Sequence, residues 1–238
     1  PQVEIGIHSY SGSGNSSYNP NDAYLDDFIY NNDIISFVAA GNQTSSSSSS
    51  YVTTPGKALN AITVGAVLPF TNNYETNSLW ENPQIGYQKP EIATYDYFYF
   101  PNDAYFVDDK GETYNGTVQG TSAATAFSAG VMADVLHQHP FFKHHPELAK
   151  ALMITASTKP IGNAASYDQD NATVAARGIP LYKNLGWNTR SRYWRGSNSC
   201  CFIGDSIVFT ESNIVSGKRY RIAIAWLIFG SYVLSNNN

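Results

Sequence analysis

Cysteine is nearly absent from this chain of 238 residues: there are two, Cys200 and Cys201, and they are adjacent. Neighbours in sequence close no useful loop, and a bridge between them would be strained. No disulfide framework is expected, and the pair reads as two small buried thiols. Charge is also scarce, at 14% of residues, with 14 Lys and Arg against 19 Asp and Glu and a net charge of -5. Phosphate backbones are gripped by clustered cations, which are missing here, so no nucleic-acid partner is expected. The longest apolar stretch, roughly Ile222 to Val233, is broken by polar and glycine positions. It falls short of the about 20 residues needed to cross a bilayer, so no membrane span is expected. No signal-peptide pattern opens the chain, which begins directly as a strand, and an earlier start of the natural protein is expected.

What is present suits a globular chain able to bury a full core: 42% hydrophobic residues and 14% aromatics, mostly tyrosine. Val3, Ile5 and Ile7 alternate with polar or small residues as in a strand, and 9–19 is a loop rich in Ser, Gly and Asn. From Pro20, Tyr24, Leu25, Phe28 and Ile29 recur at helical spacing with Asp26 and Asp27 opposite, which predicts a short amphipathic helix. The near-continuous apolar run from Ile34 to Ala40 predicts a strand buried on both faces, and strand, helix, strand predicts a parallel βαβ unit. A serine run, 45–50, reads as a surface loop, and a second buried strand follows at Ala61–Val67. Helices are expected at Gly120–Leu136 and Pro146–Ala156. Past Trp187 the chain becomes Arg-rich, then alternating, at Ile207–Phe209 and Tyr220–Trp226. The resulting expectation is an α/β domain at 1–188, a parallel sheet flanked by helices, followed at 189–238 by an incomplete all-β module.

Two segments carry candidate chemistry. In Gly120-Thr121-Ser122-Ala123-Ala124-Thr125-Ala126-Phe127-Ser128-Ala129-Gly130, a serine lies just inside a helix start. There it meets unpaired backbone N–H groups and the positive end of the helix dipole, a place suited to a nucleophile. An ordinary helix cap accounts for the same residues. In Ala39-Ala40-Gly41-Asn42, an Asn stands at the carboxyl end of a buried parallel strand, the edge where α/β folds gather ligands. Its amide can donate to a developing oxyanion, although Gly-Asn is also a common turn.

Taken together and in this order, with Pro55-Gly56 and the Ile62-Thr63-Val64-Gly65-Ala66 strand between them, these segments resemble the subtilisin-like serine peptidases, the subtilases. Lys89-Pro90-Glu91-Ile92 before the serine and His139-Pro140 after its helix extend the resemblance over roughly residues 3–160. It implies a subtilisin-like fold, Ser122 as nucleophile, Asn42 as oxyanion donor, and Ser9-Tyr10-Ser11 as a segment pairing with a peptide or protein substrate. It also implies a secreted or cell-surface location. Calcium is possible by the same resemblance, but no site is identified, and no other cofactor and no metal site is expected.

The resemblance departs at several points. Ser11 replaces the family's usual glycine, Ala126 replaces a proline, and the Ala-Pro-Gly expected after the Lys-Pro-Glu segment is missing, with an aromatic stretch from Tyr95 to Tyr105 in its place. Loss of the proline is expected to loosen the first helical turns. The catalytic Asp and His motifs of the family are absent. Serine is a poor nucleophile without a histidine to take its proton and a carboxylate to orient that histidine. Both are expected upstream of Pro1 or in a companion chain. His137, His139, His144 and His145 lie about 20 Å of helix beyond Ser122 and read as a solvated helix end, while His8 reads as a pocket wall. Asp108-Asp109 reads as a turn, and Asn15, Asn115 and Asn171 lie in N-x-Ser/Thr sequons. The competing reading is a subtilase-like binding or structural module without catalysis.

Overall fold

In the computed structural model the described residues are 3–12, 14–15, 17–43, 51–68, 74–80, 89–100, 106–107, 113–114, 116–158, 179–180, 202–203, 206–207, 214–217 and 222–236. A four-stranded parallel sheet runs in the order β1 (Ile5–His8), β2 (Ile35–Ala39), β3 (Ile62–Val67), β4 (Ile92–Tyr95). β2 and β3 are buried at every position, as expected of continuous apolar runs covered on both faces. Strand alternation sorts their side chains. Ile35, Phe37, Ile62, Val64 and Ala66 share one core with two helices, and Val38 joins Leu25 and Ile29 of a third helix on the other face.

That third helix, α1 (Pro20–Asn32), is capped by Asn19, whose side chain accepts from Asn21 N while Asp22 reaches back to Asn19 N at 3.0 Å. The faces expected for α1 are corrected by the structure: Tyr24 is 73% and Phe28 38% exposed, whereas Asp22 and Asp26 are fully buried. Asp26 faces inward because the adjoining loop supplies its partners. Its carboxylate accepts from Leu59 N at 2.8 Å, Asn60 N at 2.6 Å and the Tyr18 hydroxyl at 2.7 Å. Burial raises its pKa against the pull of those donors.

After β4 come β5 (Phe98–Phe100), β6 (Phe106–Val107), β7 (Thr113–Tyr114) and β8 (Gly116–Val118), with β5 antiparallel to β8 and β6 to β7. Phe98 stacks on Phe127 with ring centroids 5.4 Å apart. α2 (Thr121–Gln138) then crosses the sheet, and α3 (Pro146–Ala156) packs beside it. α2 is helical from Thr121 onward with Ala126 inside it, and alanine is the best helix former. A buried ion cluster ties the far end of the sheet to α3. Glu91 Oε1 lies 2.8 Å from Lys89 Nζ and 2.5 Å from Lys150 Nζ, and Glu91 Oε2 accepts from Thr63 N at 2.8 Å.

The strand expected from Tyr220 to Trp226 is not found in its described part, 222–226. Ile222, Ile224 and Trp226 are 87%, 80% and 73% exposed, so the alternation there places apolar side chains in solvent. The chain continues into α4 (Gly230–Asn236), which lies on α1: Asp27 Oδ1 accepts from Gly230 N at 2.8 Å and Val233 packs with Tyr18 and Ala23. Part of the Ile207–Phe209 expectation is met by a two-residue strand, Ser206–Ile207, paired with Phe202–Ile203. Residues 189–201, where the all-β module was expected to begin, lie outside the described residues, as do Cys200, Cys201, the serine run 45–50, Asp108, Asp109, Asn115 and Asn171. No described helix is long and apolar enough to cross a membrane.

Candidate active site

β1, β2 and β4 deliver their carboxyl ends to one edge of the sheet, and the N-terminus of α2 meets them there. A four-residue strand followed by a polar loop places Ser9-Tyr10-Ser11 just past β1, and the five-residue β2 ends one turn before Asn42. Ser122 occupies the second position of α2. Its hydroxyl donates to Ser9 O at 3.2 Å, and the Ser9 hydroxyl donates back to Ser122 O at 3.2 Å. This reciprocal pair fastens the segment after β1 to the helix start.

Asn42 reaches the same helix start from β2. Its Oδ1 accepts from Thr121 N at 3.0 Å, and Gly41 N donates to the Thr121 hydroxyl at 3.2 Å. Asn42 Nδ2 and the N–H groups of Ser122 and Ala123 make no hydrogen bond among the described residues. Helix geometry leaves such groups without internal partners, and they are suited to receive an oxygen carrying negative charge. Gly120 allows Asn42 this approach. Its φ of 90° and ψ of -178° are a conformation that L side chains avoid, and a Cβ there would stand 3.1 Å from both Asn42 Nδ2 and Oδ1. Asp96, at the end of β4, completes the ring. It is 3% exposed, and its Oδ2 accepts from Gly120 N at 3.4 Å.

The structure thus brings Ser122, Asn42 and Ser9 together. Tyr10 and Ser11 continue outward from Ser9; both are exposed, Tyr10 by 60%, and their backbone groups have no hydrogen-bond partner among the described residues. Gly12 N returns to the body of the domain through Thr54 O at 2.7 Å. His8 directs Nδ1 to the Tyr10 hydroxyl at 3.3 Å and no hydrogen bond links it to Ser122. Burial lowers its pKa. The histidines beyond α2 stay at its far end, where His145 Nδ1 lies 3.4 Å from Glu147 Oε1. Among the described residues no group of three or more His, Cys, Asp or Glu is placed to hold a metal.

Asp96 escaped the sequence reading. Its only signal was its position in the stretch that replaces Ala-Pro-Gly, and nothing in that stretch indicates that β4 ends beside Gly120.

Comparison with solved structures gives the same fold in two maturation proteases. The "Structure of Prenylagaramide maturation protease PagA" matches with a TM-score of 0.55 and 20% identity, covering 76% of this chain and 60% of that one. The "Structure of Patellamide maturation protease PatA" matches with a TM-score of 0.57 and 17% identity, covering 76% and 61%. This chain therefore spans about three-fifths of the length of either structure. No curated protein matches the chain. The model of the subtilase family matches residues 2–179, three-quarters of the sequence, and the chain belongs to that family.

Proposed function

We propose that this chain is part of a serine endopeptidase in which Ser122 is the nucleophile and Asn42 an oxyanion donor. The observation that carries the proposal is the meeting of the two residues at one helix terminus, with Asn42 Oδ1 on Thr121 N at 3.0 Å and its amide Nδ2 left to donate. In the proposed reaction the Ser122 hydroxyl leaves Ser9 O, gives its proton to a histidine, and attacks a peptide carbonyl. The carbonyl oxygen, now negative, is received by Asn42 Nδ2 and the Ser122 N–H; one such donor supplies about 10²–10³ in turnover. The substrate lies extended along Ser9-Tyr10-Ser11, whose backbone beyond Ser9 has hydrogen-bonding capacity to spare among the described residues.

No described histidine is bonded to Ser122, and serine needs one. We infer that the catalytic Asp and His come from an upstream segment or a companion chain packed against β1. β1 pairs only with β2 among the described residues, and its Ile7 is 52% exposed. A parallel strand added at that edge ends beside Ser9 and Ser122. A secreted or cell-surface location, and calcium binding at a site not identified, are proposed from family resemblance alone.

The test is fluorophosphonate labelling of the longest natural form of the protein and of this chain alone, with peptide mapping of the adduct. Labelling at Ser122 in the long form, lost in Ser122→Ala and slow in the isolated chain, is the expected result. A folded long form that stays unlabelled overturns the proposal in favour of a binding module without catalysis.

A further inference from the structure

The first turn of α2 is held by two side-chain oxygens from different strands. Asn42, after β2, takes the Thr121 N–H, and Asp96, after β4, takes the Gly120 N–H. That second bond is the only one made by Gly120 N among the described residues, at a backbone conformation reserved for glycine. Asp96 is anchored from behind, its own N–H reaching Val67 O at 3.3 Å. Its Oδ1 is buried and has no partner among the described residues. The charges around it are of one sign. Glu75, from the segment after β3, acts on it, while the side chains of β3 and of the first turn of α2 are uncharged; Glu91, at the other end of β4, is paired with Lys89 and Lys150. Burial, and then Glu75, push the Asp96 carboxyl above the ordinary range.

We propose that Asp96 is a positioning residue for the Ser122 turn. Its Oδ2 holds the Gly120 N–H at 3.4 Å and so aims the donors that follow, the N–H of Ser122 and, through Thr121 N, the amide of Asn42. The physical reason is preorganisation: an oxyanion forming at Ser122 N–H and Asn42 Nδ2 is stabilised only by donors already pointed at it, and the Gly120 backbone sets their direction. The clamp matters to catalysis only on the peptidase assignment proposed above, and its geometry is testable without it.

The experiment compares Asp96→Asn and Asp96→Ala with wild type in the longest natural form of the protein, with kcat and KM measured on a fluorogenic peptide. Asp96→Ala is expected to lower kcat about tenfold with KM changed less than about twofold, since one buried bond near the nucleophile is lost. Asp96→Asn keeps an acceptor for Gly120 N, and it is expected to restore kcat to within about threefold of wild type. Equal kcat in Asp96→Ala and wild type, a loss in Asp96→Ala confined to KM, or no recovery of kcat in Asp96→Asn overturns the proposal. A second readout is the Gly120 amide in an NMR titration, which should move with the Asp96 carboxyl carbon in wild type and stay fixed in Asp96→Asn. Wild type in which Ser122 resists fluorophosphonate while the Gly120 amide follows Asp96 supports the clamp and sinks the peptidase assignment. A labelled Ser122 with a Gly120 amide indifferent to Asp96 sinks the clamp alone.

Discussion

Gly120→Ala isolates the geometry on which the candidate site depends. At φ 90° and ψ -178°, an alanine is placed where almost only glycine is found, at a cost of about 1–3 kcal/mol. The added Cβ stands 3.1 Å from Asn42 Nδ2 and Oδ1 and 3.3 Å from its Cγ, so the amide must retreat by a few tenths of an ångström. Retreat stretches the 3.0 Å bond to Thr121 N, a further loss of about 1 kcal/mol. Together these give about 2–4 kcal/mol of destabilisation, or a fall in Tm of about 5–15 °C. The same displacement takes Nδ2 from its donor position, and acylation of Ser122 should slow by about 10²–10³. Calorimetry and the rate of fluorophosphonate labelling, both on the longest natural form, read the two effects separately. An unchanged Tm refutes the strain argument. Labelling within about threefold of wild type, despite the fall in Tm, refutes the role given to Asn42.

Asn42→Ala should lower kcat by about 10²–10³ with KM little changed, at a stability cost of about 1 kcal/mol from the lost bond to Thr121 N; a drop confined to KM counts against an oxyanion donor. Asp26→Ala leaves Leu59 N, Asn60 N and the Tyr18 hydroxyl without their acceptor and should destabilise by about 3–5 kcal/mol in urea, more than Asp26→Asn; a loss below about 1 kcal/mol contradicts the buried network. For Glu91, burial alone raises the pKa, but Lys150 and Lys89 outweigh it and the net shift is downward. A folded pKa below the unfolded one gives stability that is complete above the ordinary carboxylate range and is lost as pH falls through the folded value. Wild type should show that acid limb in Tm against pH, and Glu91→Gln should be less stable at neutral pH with the limb flattened; parallel curves reject the coupling.

Much of the core was legible in the residues. Ile34–Ala40 and Ala61–Val67 are continuous apolar runs, and a run without polar alternation has few homes other than a parallel strand covered on both faces. The α3 range was legible to the residue because Pro146 opens a helix and leucines repeat behind it. Misreadings fell where partners come from elsewhere in the chain. Asp26 looks like the outer face of α1 until Leu59, Asn60 and Tyr18 are placed around it. Ile222, Ile224 and Trp226 alternate like a strand but find no neighbour to pair with among the described residues, and hydrogen bonding between strands cannot be judged from one of them.

At the candidate site, a helix start and a strand end singled out Ser122 and Asn42 locally, while Ser9 came from the family resemblance alone. The sequence by itself thus determined three of the four sheet strands, the helices that flank them and two of the site residues; β4 was not legible in it. Only the tertiary structure decided that Ser122 bonds to Ser9, that Asn42 grips Thr121, and that Asp96 closes on Gly120. These contacts join residues 24 to 113 positions apart, and their lengths depend on where three strands end relative to one helix. Strand register and helix placement are set by the packing of the whole core, which no local stretch of sequence encodes.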